Sequence, residues 1–136
     1  MPEFAVPYGS ALTACVLLGA LYLVQALVAD VVGIRTGHVP GMPITSGHGD
    51  LLFRTTRAQA NTNESLPIFL LLSVAAMLLG ASVVWTNRLV WTFVLARAAH
   101  MLAYYADLRL LRSTIFTVST VALIGLLVVC IGALRG

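Results

Sequence analysis

From Thr114 to Leu134 the chain reads TIFTVSTVALIGLLVVCIGAL, an apolar run without one charged residue. A bilayer core takes about 20 mainly apolar residues per helix, and within it only a helix or a closed barrel satisfies its own backbone donors and acceptors. This run is therefore expected to span a membrane as a helix. The rest of the chain obeys the same constraint: of 136 residues, 60% are hydrophobic and 10% charged, with a mean hydropathy of +0.96, far outside the soluble range. The length accommodates roughly four spans and no separate soluble domain.

The N-terminal MPEFAVPYGS lacks the basic region of a secretory signal, and the apolar run behind it is too long for a signal core, so the first span is expected to stay in the mature protein. Cys15 and Cys130 fall inside apolar runs, without metal-ligand spacing or a redox motif, and read as buried structural thiols. The net charge is +3 and every basic residue is Arg. No basic run or aromatic-spaced basic patch supports nucleic-acid binding.

The expected architecture is all-α and integral to the membrane, a single domain of four helices at about 8–34, 50–80, 84–108 and 112–134, packed as an up-and-down bundle. From Ala11 to Ala29 the first helix is interrupted by only one strongly polar residue, Gln25. RTGHVPGMPITSGHG, from Arg35, is rich in Gly and Pro and reads as a loop, with Asp50 as the N-cap of the second helix. Short connections near SVVWTN and DLRLLRS join the rest. The first and third connections carry Arg35, Arg54, Arg57, Arg109 and Arg112 against Arg88 and Arg135 on the other side, so the positive-inside rule places them in the cytoplasm. The expected location is the bacterial inner membrane, and His38 and His48 read as solvated loop residues.

Two polar stripes enter the membrane from that side. Arg54, Arg57, Asn61 and Glu64 follow spacings of three, four and three, which places them on one helical face, with Gln59 off the stripe. Arg97, His100 and Tyr104 repeat the pattern in the third span. A charge well inside a membrane helix costs from about 2.5 kcal/mol upward unless it meets a partner or water, so Glu64 and Arg97 each need one. Pro67 lacks an N–H and leaves the Asn63 carbonyl without its usual donor, which is expected to open a cavity beside Glu64. Taken singly, the arginines can snorkel at the membrane edge, the tyrosines can belong to an interfacial belt, and Asn61 and His100 can be interhelical glue. Their convergence on two aligned faces exceeds what packing requires. Several arginines, an amide, a tyrosine and one carboxylate suit a small zwitterion with surplus negative charge, its carboxylates on Arg forks and its ammonium on Glu64. Glutathione fits that description, and no metal-ligand cluster, phosphate loop or nucleophile triad competes with it.

The segment RAQANTNESLPIFL resembles the leukotriene-C synthase branch of the MAPEG family, membrane-associated proteins in eicosanoid and glutathione metabolism; ARAAHMLAYYADLRLLRS is similar to its prostaglandin E synthase branch. The resemblance implies a homotrimer of four-helix subunits, with glutathione bound between neighbours near the cytoplasmic face. It implies that Arg57, Gln59, Asn61 and Glu64 contact glutathione from the second helix, and Arg97, His100 and Tyr104 from the third. It further implies that Arg112 and Ser113 are the pair at the thiol, and that Arg35 matches a first-helix arginine. Two departures stand out. Phe53 occupies the position of the family's usual Glu, and the connection before Arg112 is one residue shorter than in the prostaglandin synthases, which leaves Arg109 as the alternative arginine at the thiol.

On this reading Arg112 stabilises the glutathione thiolate, Ser113 donates a hydrogen bond to it, and a lipophilic electrophile or lipid hydroperoxide arrives laterally from the bilayer. The alternative is a non-catalytic, lipid-binding or scaffolding member of the same family, against which the retained buried charges argue. A small transporter would show inverted repeats and paired broken helices, which this sequence lacks.

Overall fold

The structure, a computed structural model, describes residues 2–135. A 3-10 turn, Glu3–Tyr8, leads into α1 (Gly9–Arg35), followed by α2 (Leu51–Leu78), α3 (Val83–Tyr105) and α4 (Arg109–Arg135). At about 1.5 Å per residue the helices are about 35 to 42 Å long, enough to cross a hydrocarbon core. By length and composition α1 with its preceding turn, α2 and α4 are each apolar enough to span a membrane, whereas α3 is not among the helices that qualify. The expected bundle of four helices is present, with α3 the one that lacks so apolar a stretch. Its central polar groups are turned inward, Arg97 being 0% and His100 3% exposed, and are sheltered by the neighbouring helices, whereas Arg88 and Thr92 near its start are exposed.

The chain runs up, down, up and down. Tyr22 meets Asn63 across α1 and α2, Asn61 meets Arg97 across α2 and α3, and Arg97 meets Ser119 across α3 and α4. Phe69 also meets Phe93 across α2 and α3, and Leu89 meets Gly125 across α3 and α4, so partner numbers fall on one helix as they rise on the other, as antiparallel packing demands. Both α2 and α3 touch all the other helices, while α1 and α4 lie on opposite flanks. The core is formed by Ala11, Ala14 and Leu18 of α1, Phe69 of α2, Val90 and Phe93 of α3, and Ala122 and Leu126 of α4. Phe69 and Phe93 stack with centroids 4.4 Å apart and planes 13° from parallel. Because lipid tails are as apolar as these side chains, it is packing rather than removal from water that holds such a core.

The end opposite the polar stripes is pinned by side chains. Tyr8 donates to the carbonyl of Ala81, Asn87 accepts from the amide of Ala11 at 2.9 Å, and Trp91 Nε1 donates to Ser10 Oγ at 2.8 Å. The Ala11 amide is a first-turn donor of α1 that has no partner within the helix and is satisfied in this way.

Helix boundaries follow local chemistry. Asp50 Oδ1 accepts from the amide of Leu52 at 2.9 Å, so the expected N-cap is present. α3 stops at Tyr105 rather than 108. Asp107 there adopts a left-handed φ of 54° while the amides of Asp107 and Leu108 turn back to Tyr104 and Ala103. That tight turn lets α4 begin at Arg109, three residues before the expected start. α2 passes through Pro67 as one continuous helix.

Hydrogen bonds from the Ser46 side chain and the Leu52 amide, helped by the nearby charge of Arg54, hold the Asp50 carboxyl below its ordinary pKa. A lowered folded pKa adds stability that is present above the unfolded carboxyl range and is lost as the pH falls through the folded one. Asp50→Ala is therefore expected to lower the melting temperature of the detergent-solubilised protein at neutral pH. The gap to wild type should close on acidification through the carboxylate range, as followed by thermal circular dichroism at several pH values.

Candidate functional site

Arg97 is the hub of the polar end. It projects from the middle of α3 into the bundle, where Nη2 donates to Asn61 Oδ1 on α2 and meets His100 Nδ1 at 3.0 Å, while Nη1 reaches Ser119 Oγ on α4 at 3.4 Å. A guanidinium has donors only, so the Nδ1 it meets must present a lone pair, which fixes His100 as the neutral tautomer with its proton on Nε2. Three helices are thereby joined through one cation. Among the described residues no carboxylate comes within ion-pair distance of it; its partners are all neutral.

Towards the membrane edge a second arginine organises a cavity of about 370 Å³, lined by Asn61, His100, Tyr104, Arg112, Ser113, Phe116 and Thr117. The Arg112 guanidinium lies 4.3 Å from the centre of the Tyr104 ring, a cation–π contact. The Tyr104 ring in turn meets His100 edge-on at 5.0 Å. Ser113 Oγ donates to the Arg109 carbonyl at 3.2 Å, so its proton is held within α4 while its lone pairs stay free.

An adjoining cavity of about 210 Å³ shares Asn61 and Phe116 with the first and adds Glu64, Ser65, Arg97, Ser119 and Thr120 to its walls. The space anticipated beside Glu64 is thus present, although the helix axis is not interrupted at Pro67. Glu64 Oε1 stands 3.9 Å from Arg57 Nη1, a long contact between exposed side chains.

The structure divides the expected residues into groups. Asn61, His100, Tyr104, Arg112 and Ser113 share one cavity, and Glu64 and Arg97 line the next. Arg57 lies exposed beside Glu64. Arg109 does not join them: it is exposed and turns back to Asp107 at 3.5 Å, which leaves Arg112 as the arginine on the cavity wall. Gln59 is on another flank of α2, lining a cavity of about 440 Å³ with Asp30, His38 and Thr56. Arg35 is exposed at the end of α1 and lies on the wall of neither polar cavity.

Two features escaped the sequence reading. His48 is not a free loop residue: its Nδ1 is 3.3 Å from Arg112 Nη1, its ring meets Phe53 at 5.0 Å, and its carbonyl accepts from Arg54 Nη1 at 2.7 Å. A Gly- and Pro-rich loop has no period from which that placement could be read. The hydroxyl and aromatic wall from α4, Phe116, Thr117, Ser119 and Thr120, was legible as helical spacing from Ser113 onward, though hidden in an uncharged run.

A sequence model of the MAPEG family matches residues 11–132, nearly the whole chain. A search among curated proteins returned no match. The match takes in all but the outermost residues of the bundle, together with both polar cavities. The chain is an integral membrane protein that belongs to the MAPEG family, whose members serve glutathione-related or eicosanoid metabolism in membranes.

Proposed function

We propose that this chain is a membrane-bound, glutathione-dependent enzyme that activates the thiol for conjugation to a lipophilic electrophile or for reduction of a lipid hydroperoxide. The observation that carries the reading is the cavity in which Arg112, laid on Tyr104, shares its walls with Ser113, His100 and Asn61. The residues suit the ligand chemically. The arginines supply planar forks for two carboxylates, and Glu64, at the adjoining cavity, supplies the counter-charge for an ammonium.

A free thiol has a pKa near 8.5, and a guanidinium held beside it favours the thiolate, which is the nucleophile. Arg112 is assigned that role. Ser113 can donate to the sulfur once its hydroxyl turns from the Arg109 carbonyl. With an electrophilic carbon, a C–S bond forms as the leaving group departs with its electron pair. With a hydroperoxide, two glutathione molecules are oxidised to the disulfide as the peroxide is reduced to alcohol and water. The apolar co-substrate is assigned to the bilayer, and the first and third connections to the cytoplasmic side of a bacterial inner membrane.

The unit of function is assigned as a homotrimer. Arg57 and Glu64 lie exposed on the flank of a membrane helix, where hydrocarbon would penalise them and a neighbouring subunit would cover them. Gln59 and Arg35 stand apart from the Arg112 cavity of their own chain, so a rotationally repeated neighbour is the route by which they reach a site.

Arg112→Ala is expected to lower kcat/KM for a chlorodinitrobenzene-type electrophile by roughly a hundredfold with the melting temperature retained, and Arg109→Ala to lose far less. Equal losses in the two variants would remove Arg112 from the thiol. Calorimetric titration of the wild type with glutathione is expected to show binding that weakens about tenfold in Glu64→Ala; no binding by the wild type would overturn the proposal.

The shared site makes a separate prediction. Arg112→Ala and the double variant Arg35→Ala/Gln59→Ala, each impaired alone, should recover part of the activity when co-expressed, because mixed trimers contain sites with both walls intact. Native mass spectrometry would report the assembly directly.

A further inference from the structure

We propose that His48, on the connection between α1 and α2, is a positioning residue that sets the orientation of the Arg112 guanidinium without neutralising its charge. The inference rests on the glutathione reading above, since its consequence is an effect on the thiol.

Arg112 stands near the start of α4 at the end of a long, flexible side chain. Its contact with Tyr104 at 4.3 Å fixes the distance of the guanidinium from the ring, but a cation–π contact alone leaves the guanidinium free to turn over it. The 3.3 Å approach of His48 Nδ1 to Nη1 removes that freedom. Arginine cannot accept, so the imidazole must be neutral, with Nδ1 bearing the lone pair.

The imidazole is itself held. Phe53 meets it edge-on at 5.0 Å with planes 83° apart, and Tyr104 lies 6.5 Å away at 30°. Its backbone carbonyl is tied to Arg54 at 2.7 Å. Phe53 and Arg54 are consecutive in the first turn of α2, whose start is fixed by the Asp50 cap. One loop residue thus takes its rigidity from α2 and delivers it to α4. The charged and titratable groups that meet the His48 residue are Arg112 from α4, Arg54 from α2 and Tyr104 from α3.

The choice of partner matters chemically. A carboxylate at the same place would orient Arg112 equally well, but it would cancel the field that favours a thiolate. A neutral imidazole orients the guanidinium and leaves its full charge facing the cavity. With Nη1 engaged, the remaining donors of Arg112 are free for the sulfur.

Three variants separate acceptor, ring and charge, read by the ultraviolet absorbance of bound thiolate across a pH titration and by kcat and KM for glutathione. His48→Phe keeps an aromatic ring against Phe53 but has no acceptor. It is expected to lower kcat about tenfold through misplacement of Arg112, and to raise the pH at which the bound thiol ionises, with KM for glutathione little changed. His48→Asn, whose amide oxygen falls near the Nδ1 position, should recover most of both. His48→Asp should bind glutathione yet ionise its thiol less readily than His48→Asn. Wild-type thiol titration and kcat in His48→Phe, or no recovery in His48→Asn, would overturn the role of His48 alone. A wild-type protein that binds glutathione without forming the thiolate, or does not bind it, would overturn the functional reading and this inference with it.

Discussion

Everything at the polar end of the bundle depends on the burial of Arg97. A fully enclosed guanidinium inside a membrane protein is sustained only by partners that reach it, and these come from α2, its own helix and α4. Losing any one of them would leave a buried donor unsatisfied, so the three helices are held in one relative position. That position places Asn61 where it serves both cavities, and aligns His100 with Tyr104 and Phe116. The cation acts first as a structural fastener, and the site is assembled around it.

The membrane character and the four helices were legible because long apolar runs broken by Gly, Pro and charged turns admit few other folds. The two stripes were legible too, since spacings of three and four define a helical face. α3 shows the limit of hydropathy: a linear average does not distinguish Arg97 and His100, which face the protein interior, from Arg88 and Thr92, which are exposed. The boundary between α3 and α4 was misread by three residues, because Asp107 takes a left-handed conformation that usually falls to Gly.

Within the candidate site, Asn61, His100 and Tyr104, set by periodicity on two stripes, line one cavity, and that Arg112 rather than Arg109 lies on its wall follows from the start of α4. With α4 beginning at Arg109, the two arginines occupy successive turns, and the Asp107 carboxylate draws the first away. The placement of His48 depends on tertiary contacts made by an aperiodic segment, which no spacing rule anticipates. Phe53, noted in the sequence only as a departure from the family pattern, supplies a ring surface for that histidine.

Arg97 and Arg112, the two arginines on the cavity walls, are met by uncharged side chains: an amide, two imidazoles, a hydroxyl and a phenol ring. Among the described residues neither guanidinium has a carboxylate within ion-pair distance, the nearest acidic group on a shared cavity wall being Glu64 beside Arg97. An anion that enters completes the charge balance as well as filling a cavity. By linkage it stabilises the folded state by RT ln(1 + [L]/Kd), so heat resistance becomes a direct report of occupancy.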